Sequence, residues 1–159
     1  MTPRHSLQDE IKQAKPFSSY EEEAYLNLQR TTDRLLQGVR ELLDPHDLSP
    51  AQYNVLRILR GAEPDGLPCG GIRERMVTRV PDVTRLLDRL EPRGLITRER
   101  RPPDRRVVRA RITQAGLTLL AELDAPMRAL HREQMGHLGE DALQTLIDLL
   151  ERVRQPDGA

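Results

Sequence analysis

The sequence has little of several residue types, and each shortage excludes a class of protein. Of its 159 residues 3% are aromatic, none is Trp, and Cys69 is the one cysteine, so an intramolecular disulfide and a zinc site of paired cysteines are both excluded. No run approaches the roughly 20 consecutive apolar residues of a membrane helix, and the N-terminus carries no apolar signal segment. We therefore expect a cytoplasmic protein without a membrane partner.

The length and the shortage of aromatic residues also limit the architecture. A chain of 159 residues suits one compact domain with its own core, and we expect a single domain over 1–159. Its core must be built mainly from leucine, valine, isoleucine and alanine, which pack on helices without polar groups to satisfy. The expected fold class is therefore mainly α.

Charge is distributed unevenly along the chain. The formal net charge is +0, yet the segment 68–112 contains thirteen arginines against six acidic residues, a local excess of +7. Such a segment concentrates positive potential where a phosphate backbone could dock. A solvated charged surface is the alternative interpretation of the same pattern.

Apolar residues at three- and four-residue steps predict long helices. The first is expected over 20–43, and Ser49, followed by proline, is expected to cap the second. Thr113 is expected to cap a long helix that Pro126 kinks or interrupts. Further helices are predicted over 70–76, 81–91 and 140–153, and 7–14 is compatible with a short one.

The period changes from about 3.6 to 2 in the segments 95–101 and 108–112, which predicts two paired strands. The proline-rich segment 102–106 lies between them and reads as a turn. The helix predicted before this hairpin carries Arg85 and Arg89 on the face opposite its apolar residues, which are Val83, Leu86, Leu87 and Leu90.

These elements follow the order of a winged helix-turn-helix, whose second helix enters the DNA major groove while the hairpin reaches the neighbouring backbone or minor groove. The planar forks of Arg85 and Arg89 suit guanine edges and phosphates, and Thr84 suits either. Arg105 and Arg106 suit a narrow, electronegative minor groove. The strand arginines are interpreted as solvating an outer sheet edge, namely Arg98, Arg100, Arg109 and Arg111.

The segment 48–116 resembles the winged-helix segment of the multiple-antibiotic-resistance regulator (MarR) family. The stretch LSPAQYNVLRIL resembles its second helix, and VTRLLDRLEPRGLITRERRPPDRRVVRARITQAG resembles its recognition helix, its wing and the start of its fifth helix. Asp104 and Arg106 match the wing motif of an Asp and an Arg separated by one residue. Val80 and Pro81 stand where the family often has small hydroxyl residues, so we expect no side-chain cap at this helix start.

The resemblance implies a mainly α fold with a small two-stranded β-hairpin wing, in which a DNA-binding lobe over 48–113 is flanked by dimerisation helices within 1–44 and 114–159. It also implies that Asp104 anchors the wing, that Arg106 reaches the minor groove, and that the recognition helix meets bases near its start. Together with the charge pattern, the predicted DNA-binding residues are Arg79, Pro81, Thr84, Arg85, Arg89, Asp104, Arg105 and Arg106.

The expected partners are double-stranded DNA, a second copy of the chain and a small aromatic or phenolic effector. Apolar stripes on the first and last helices favour a homodimer. A family-like pocket would lie between the first, second and fifth helices, and the candidate contacts are Tyr20, Tyr25, Arg34 and Tyr53. We thus expect a sequence-specific transcriptional regulator, in particular a ligand-responsive repressor of a pseudo-palindromic operator.

Other classes of function have weaker support. A winged-helix module for protein interaction, without sequence-specific DNA binding, is the alternative. We expect no enzyme and no cofactor, since no phosphate loop, nucleophile elbow or HExxH motif is present. We expect no metal site because the four histidines lack the close spacing of ligands. Cys69 is interpreted as an inert thiol rather than an oxidant sensor.

Overall fold

A computed structural model describes residues 6–80, 82–100, 102 and 104–155. The chain divides into two compact units, Met1–Gly38 and Val39–Ala159, and each is described by itself. Among the described residues no helix combines the length and the hydropathy needed to cross a membrane.

The first unit consists of a short helix and most of a long one. Helix α1 spans Leu7–Glu10 and begins with a reciprocal capping box between Ser6 and Asp9. Helix α2 spans Tyr20–Leu43, as predicted, and its first turn carries three glutamates that interact favourably with the helix dipole. The structure therefore contains a helix in the ambiguous 7–14 segment, but a shorter one.

The second unit begins with the end of α2 and contains the remaining elements. These are, in chain order, α3 Pro50–Gly61, β1 Leu67–Pro68, α4 Cys69–Arg75, α5 Val83–Leu90, β2 Ile96–Arg100, β3 Val108–Ile112, α6 Gln114–Met135 and α7 Glu140–Arg154. Short 3-10 turns precede α3 and α7.

Side-chain caps set the starts of the two helices for which the sequence predicts them. Ser49 forms a capping box with Gln52 at the start of α3, and the Thr113 hydroxyl accepts a hydrogen bond from the Gly116 backbone N–H at the start of α6. Pro126 does not interrupt this helix, because α6 is helical from Gln114 to Met135, and of the two expectations only the kink stays a prediction. Pro126 is exposed, and the packing of its neighbours Leu123 and Met127 holds the backbone helical.

The sheet has three antiparallel strands in the order β1-β3-β2, where the sequence predicted two. Strands β2 and β3 form the expected hairpin, with Ile96 opposite Ile112 and Arg100 opposite Val108. The additional strand β1 places Leu67 opposite Ala110. A two-residue strand that contains a proline has no measurable alternation, which is why its sequence does not predict it.

The core of the second unit joins the helix-turn-helix to the sheet and to α6. The fully buried side chains come from every one of these elements and include Leu43, Leu56, Leu59, Ile72, Leu87, Leu90, Ile96, Leu120 and Leu123. At the edge of this core the Arg60 guanidinium donates two hydrogen bonds to the Asp124 carboxylate, at 2.9 and 3.1 Å. This contact lowers the pKa of Asp124 and raises the pKa of Arg60. A bidentate ion pair therefore ties α3 to α6.

At Gly116 helix α6 approaches the sheet so closely that no side chain fits between them. A Cβ there would lie 2.5 Å from the Leu95 carbonyl oxygen and 2.6 Å from Cγ1 of Ile112. We predict that Gly116→Ala destabilises the protein by about 1–3 kcal/mol, the usual cost of overpacking a core.

Urea unfolding measures this free energy, and Gly61→Ala is the matched control. Gly61 also lies in a helix, but a Cβ there meets no atom within 4 Å. Its substitution is expected to be neutral or to stabilise by up to about 1 kcal/mol. Equal unfolding midpoints for the two variants would show that the close approach at Gly116 is wrong.

Candidate nucleic-acid interface

Helices α4 and α5 form the helix-turn-helix, and α3 supports the connection between them. The Asn54 side-chain oxygen on α3 accepts a hydrogen bond of 2.9 Å from the Val77 backbone N–H in the turn. Helix α5 buries Val83, Leu87 and Leu90 against the core, each with at most 1% of its surface exposed. The opposite face of α5 is therefore the solvent-facing surface, and we call α5 the recognition helix.

The recognition helix begins at Val83 and has a side-chain cap, contrary to expectation. Asp82 lies in an extended conformation at the N-cap, and its carboxylate accepts a hydrogen bond of 3.0 Å from the Arg85 backbone N–H. The cap thus comes from the residue after Pro81, which itself lies outside the described residues. The expectation of an uncapped start rested on Val80 and Pro81, whereas the next residue, an aspartate, is a standard capping residue type.

The solvent-facing surface of the recognition helix carries the predicted polar residues. Thr84, Arg85 and Arg89 are exposed, and Arg79 is exposed in the turn that precedes the helix. The Thr84 hydroxyl lies 3.9 Å from the Cys69 sulfur at the start of α4. Among the described residues the side chains of these three arginines have no hydrogen-bond or ion-pair partner. Their guanidinium donors are therefore available to a ligand outside the chain.

The wing tip forms a turn organised by Asp104. Its carboxylate oxygen accepts a hydrogen bond of 2.9 Å from the Arg106 backbone N–H, which is an Asx-type turn. Arg105 and Arg106 are exposed beside it, and within the described part of the chain their side chains contact no partner. Asp104 therefore orients a tip that presents two unengaged guanidinium groups.

Most of the strand arginines make internal contacts, which corrects the expectation that they solvate an outer edge. Arg98 pairs with Asp88 at 2.7 Å and with Glu91 at 2.6 Å, and its hydrogen bond with Glu91 is the main cause of its raised pKa. Arg109 donates to the carbonyls of the turn after α3. Arg111 lies 3.9 Å from Glu63. Only Arg100 is exposed on its strand as expected.

A further arginine of the basic segment, Arg93, makes internal contacts that the sequence did not predict. Arg93, just after the recognition helix, donates hydrogen bonds of 2.5 and 2.8 Å to the carbonyl oxygens of Asp47 and His46 in the turn before α3. These partners lie more than forty positions away in the chain, so no local pattern reveals them. The basic segment thus divides into arginines that hold the lobe together and arginines that face solvent.

The residues predicted for an effector pocket fall in both compact units. In the first unit, Tyr20 and Tyr25 are 88% and 60% exposed, and Arg34 is exposed. Tyr25 borders a shallow groove of about 450 Å³ along α2. In the second unit Tyr53 is 8% exposed, with the Arg57 guanidinium 6.0 Å from its ring centre. Within the described ranges no group of three potential metal ligands lies together.

A buried helix-turn-helix core, a recognition helix with unengaged arginines and a basic wing define a winged-helix DNA-binding protein. The model of the MarR family matches residues 48–108. The crystal structure of a MarR transcription factor from Planctomyces limnophilus is 46% identical, with a TM-score of 0.66 over 86% of this chain and 98% of that one. The chain belongs to the MarR family of transcriptional regulators.

Two further relatives agree with this assignment. The transcriptional repressor MdtR of Bacillus subtilis (strain 168) is 28% identical over 82% of this chain and 83% of its own length. A MarR variant from E. coli, crystallised with operator DNA, is 25% identical with a TM-score of 0.74, over 94% of this chain and 99% of that one. The predicted family and the mainly α winged fold are confirmed, and the protein is a DNA-binding regulator rather than an enzyme.

The Asp82 cap leads to a prediction about the recognition helix. Asp82→Ala should lower the free energy of unfolding by about 1 kcal/mol, because it leaves the Arg85 backbone N–H without its partner. Denaturant unfolding of the free protein measures this loss, and Asp82→Ser, which retains a capping oxygen, should recover most of it. Identical midpoints for Asp82→Ala and the unsubstituted protein would contradict the observed cap.

Proposed function

We propose that this regulator is a homodimeric repressor that reads a pseudo-palindromic operator and releases it when a small aromatic or phenolic effector binds. The observation that carries the proposal is the set of unengaged arginines on the recognition helix and the wing tip. Both surfaces belong to the lobe 48–113. The backbone beneath each of them is held by internal hydrogen bonds, from Asp82 at the recognition helix and from Asp104 at the wing tip. A lobe whose backbone is already held loses little backbone freedom when it meets phosphates, so the ordering cost falls mainly on the arginine side chains.

In the proposed complex the two surfaces have different tasks. Thr84, Arg85 and Arg89 meet base edges and phosphates in the major groove, and Arg79 contacts the backbone beside it. Arg105 and Arg106 reach a minor groove, while Asp104 holds the tip in shape. Pro81, a further predicted contact, remains a prediction from the sequence alone.

The proposal that the protein represses transcription rests on its relatives and on mechanism. MdtR, which aligns over most of this chain, is named as a repressor. A dimer that covers operator DNA within a promoter excludes polymerase from the same site. The cheapest test is a gel shift that compares DNA flanking the protein's own gene with a scrambled duplex, followed by transcription from that promoter with and without the protein.

The proposed homodimer would use the terminal helices of the segments 1–44 and 114–159. Helix α7 has an apolar face, yet none of its fifteen residues is buried in the single chain. Ile147 is 48% and Val153 is 68% exposed on that face. On α2, Tyr25 and Leu28 are exposed as well. Apolar surface of this kind favours association with a second copy.

A dimer would place two lobes on half-sites about 10 bp apart, one turn of DNA. We predict that the double variant Ile147→Glu and Val153→Glu dissociates the dimer, because burying either carboxylate in an apolar interface is costly. Sedimentation velocity at micromolar concentration measures the mass. Thr145→Glu, on the opposite face of α7, is the matched control and should remain dimeric. A monomeric unsubstituted protein would contradict the proposed dimer.

The proposed effector remains defined by its class. The contacts predicted from the sequence are Tyr20, Tyr25, Arg34 and Tyr53, and each phenol ring or guanidinium by itself suits an aromatic ring that carries a polar or acidic group. A melting-temperature screen against small phenolic and aromatic compounds tests the class. A bound compound should raise the melting temperature and weaken the gel shift at the same concentration.

Arg85 provides the test of base reading. It is the third residue of the recognition helix and lies in its first turn on the exposed face, where an arginine reaches base edges. We predict that Arg85→Ala weakens operator binding by about 1–3 kcal/mol and weakens binding to random DNA less. Titration of both duplexes by fluorescence anisotropy measures the difference. An equal loss on both DNAs would assign Arg85 to the phosphate backbone instead.

Arg106 provides the contrasting test at the wing tip. We predict that Arg106→Ala weakens operator and random DNA to a similar extent and lowers the salt slope by about 1 per lost phosphate contact. The measurement is the dissociation constant across a series of salt concentrations. If neither this variant nor Arg85→Ala changes DNA binding while both keep the melting temperature, the proposed arrangement of helix and wing is wrong.

A further inference from the structure

Arg98 connects the recognition helix to the wing. It lies on β2, and its guanidinium contacts two carboxylates of the recognition helix and its C-cap. The Nη1 atom is 2.7 Å from Asp88 Oδ1, while Nε and Nη2 donate to Glu91 Oε2 at 2.8 and 2.6 Å. The Arg98 side chain is 25% exposed, so water only partly screens these contacts. One side chain thus links a strand of the wing to the recognition helix.

The register of the sheet explains how Arg98 reaches the helix. It shares a strand face with Ile96, which is 1% exposed, and its direct partner on β3 is Ala110. The small alanine leaves space for a long side chain to cross towards the helix. Arg100, two positions further along the same strand, is exposed, and its side chain has no hydrogen-bond or ion-pair partner among the described residues. Of these two arginines of β2, the one opposite Ala110 therefore forms the ion pairs with the recognition helix.

Arg98 also affects the charge of the recognition helix. Asp88 is 54% exposed and Glu91 is 38% exposed, so both carboxylates reach solvent, and Asp88 directly precedes Arg89 in the chain. Each would repel DNA phosphates, and a guanidinium within 3 Å offsets that repulsion. Removing Arg98 would unmask two negative charges and remove this polar contact between the wing and the helix, which would then be joined by the apolar core.

We propose that Arg98 is a positioning residue for operator recognition, which holds the wing at a set distance from the recognition helix while neutralising Asp88 and Glu91. This rests on the proposed DNA-binding function and extends it. A fixed helix-to-wing distance lets both elements contact one half-site together, so the loss of the bridge lowers the preference for the operator as well as the overall affinity.

The experiment separates positioning from charge. The unsubstituted protein first selects a duplex from a random library, and dissociation constants are then measured for this duplex and for its scrambled version. The variants are Arg98→Gln, the double variant Asp88→Asn and Glu91→Gln, and the triple variant that combines all three substitutions. We expect Arg98→Gln to weaken binding to the selected duplex about tenfold, which is the size of effect that the loss of one charge-assisted contact inside the protein produces. The triple variant should bind the scrambled duplex as tightly as the unsubstituted protein does. It should not regain the preference of the unsubstituted protein for the selected duplex.

Arg98→Lys adds a graded test, because a point charge cannot hold both carboxylates as the guanidinium fork does. Its preference for the selected duplex should be intermediate. The proposal is overturned if the triple variant regains the full preference, which would assign Arg98 to charge alone, or if Arg98→Gln leaves the preference unchanged.

Hydrogen exchange of the free protein keeps this proposal distinct from the proposed function. Arg98→Gln should speed amide exchange in β2 and β3, whereas Arg100→Gln, which removes the same charge from the same strand, should not. If the unsubstituted protein selects no duplex, the proposed function fails. Unchanged exchange in Arg98→Gln would overturn the positioning role whether or not DNA binds.

Discussion

The recognition helix has only eight residues, and a helix of that length is not stable in water by itself. Its stability must come from the burial of Val83, Leu87 and Leu90 and from the Asp82 cap. That burial also decides which residues face solvent, because the polar side chains occupy whatever surface the core leaves. The fold of this helix and the identity of its solvent-facing residues therefore follow from one packing constraint, and a change in the core beneath α5 would rotate or unfold the surface above it.

The sheet extends this constraint to the wing. Strand β3 pairs with β2 in the hairpin and with β1, which leads directly into α4. The first helix of the helix-turn-helix is thereby attached to the same strand that forms the wing. Arg93 and Arg109 add hydrogen bonds from the basic segment to turns on either side of α3. The lobe is joined by backbone pairing and by arginine contacts, in addition to its apolar core.

Local signals predicted most of this architecture, and long-range partners explain what they missed. The bounds of α2, the caps at Ser49 and Thr113 and the hairpin all depend on residues close in sequence. The third strand has too few residues to show a period, and Pro126 lies inside a helix because tertiary packing outweighs its cost. The roles of Arg93, Arg98 and Arg109 were not predictable, because composition shows an excess of arginine but not which carboxylate or carbonyl each side chain will contact.

The division of the arginines has an evolutionary consequence. Among the described residues the side chains of Arg85, Arg89, Arg105 and Arg106 have no hydrogen-bond or ion-pair partner, so substitutions there break no internal side-chain bond. Surface substitutions of this kind usually alter stability by less than about 0.5 kcal/mol. Under the proposed function, operator preference can therefore diverge between descendants of this protein at little risk to folding, whereas substitution of the internally bonded arginines breaks contacts that the fold uses.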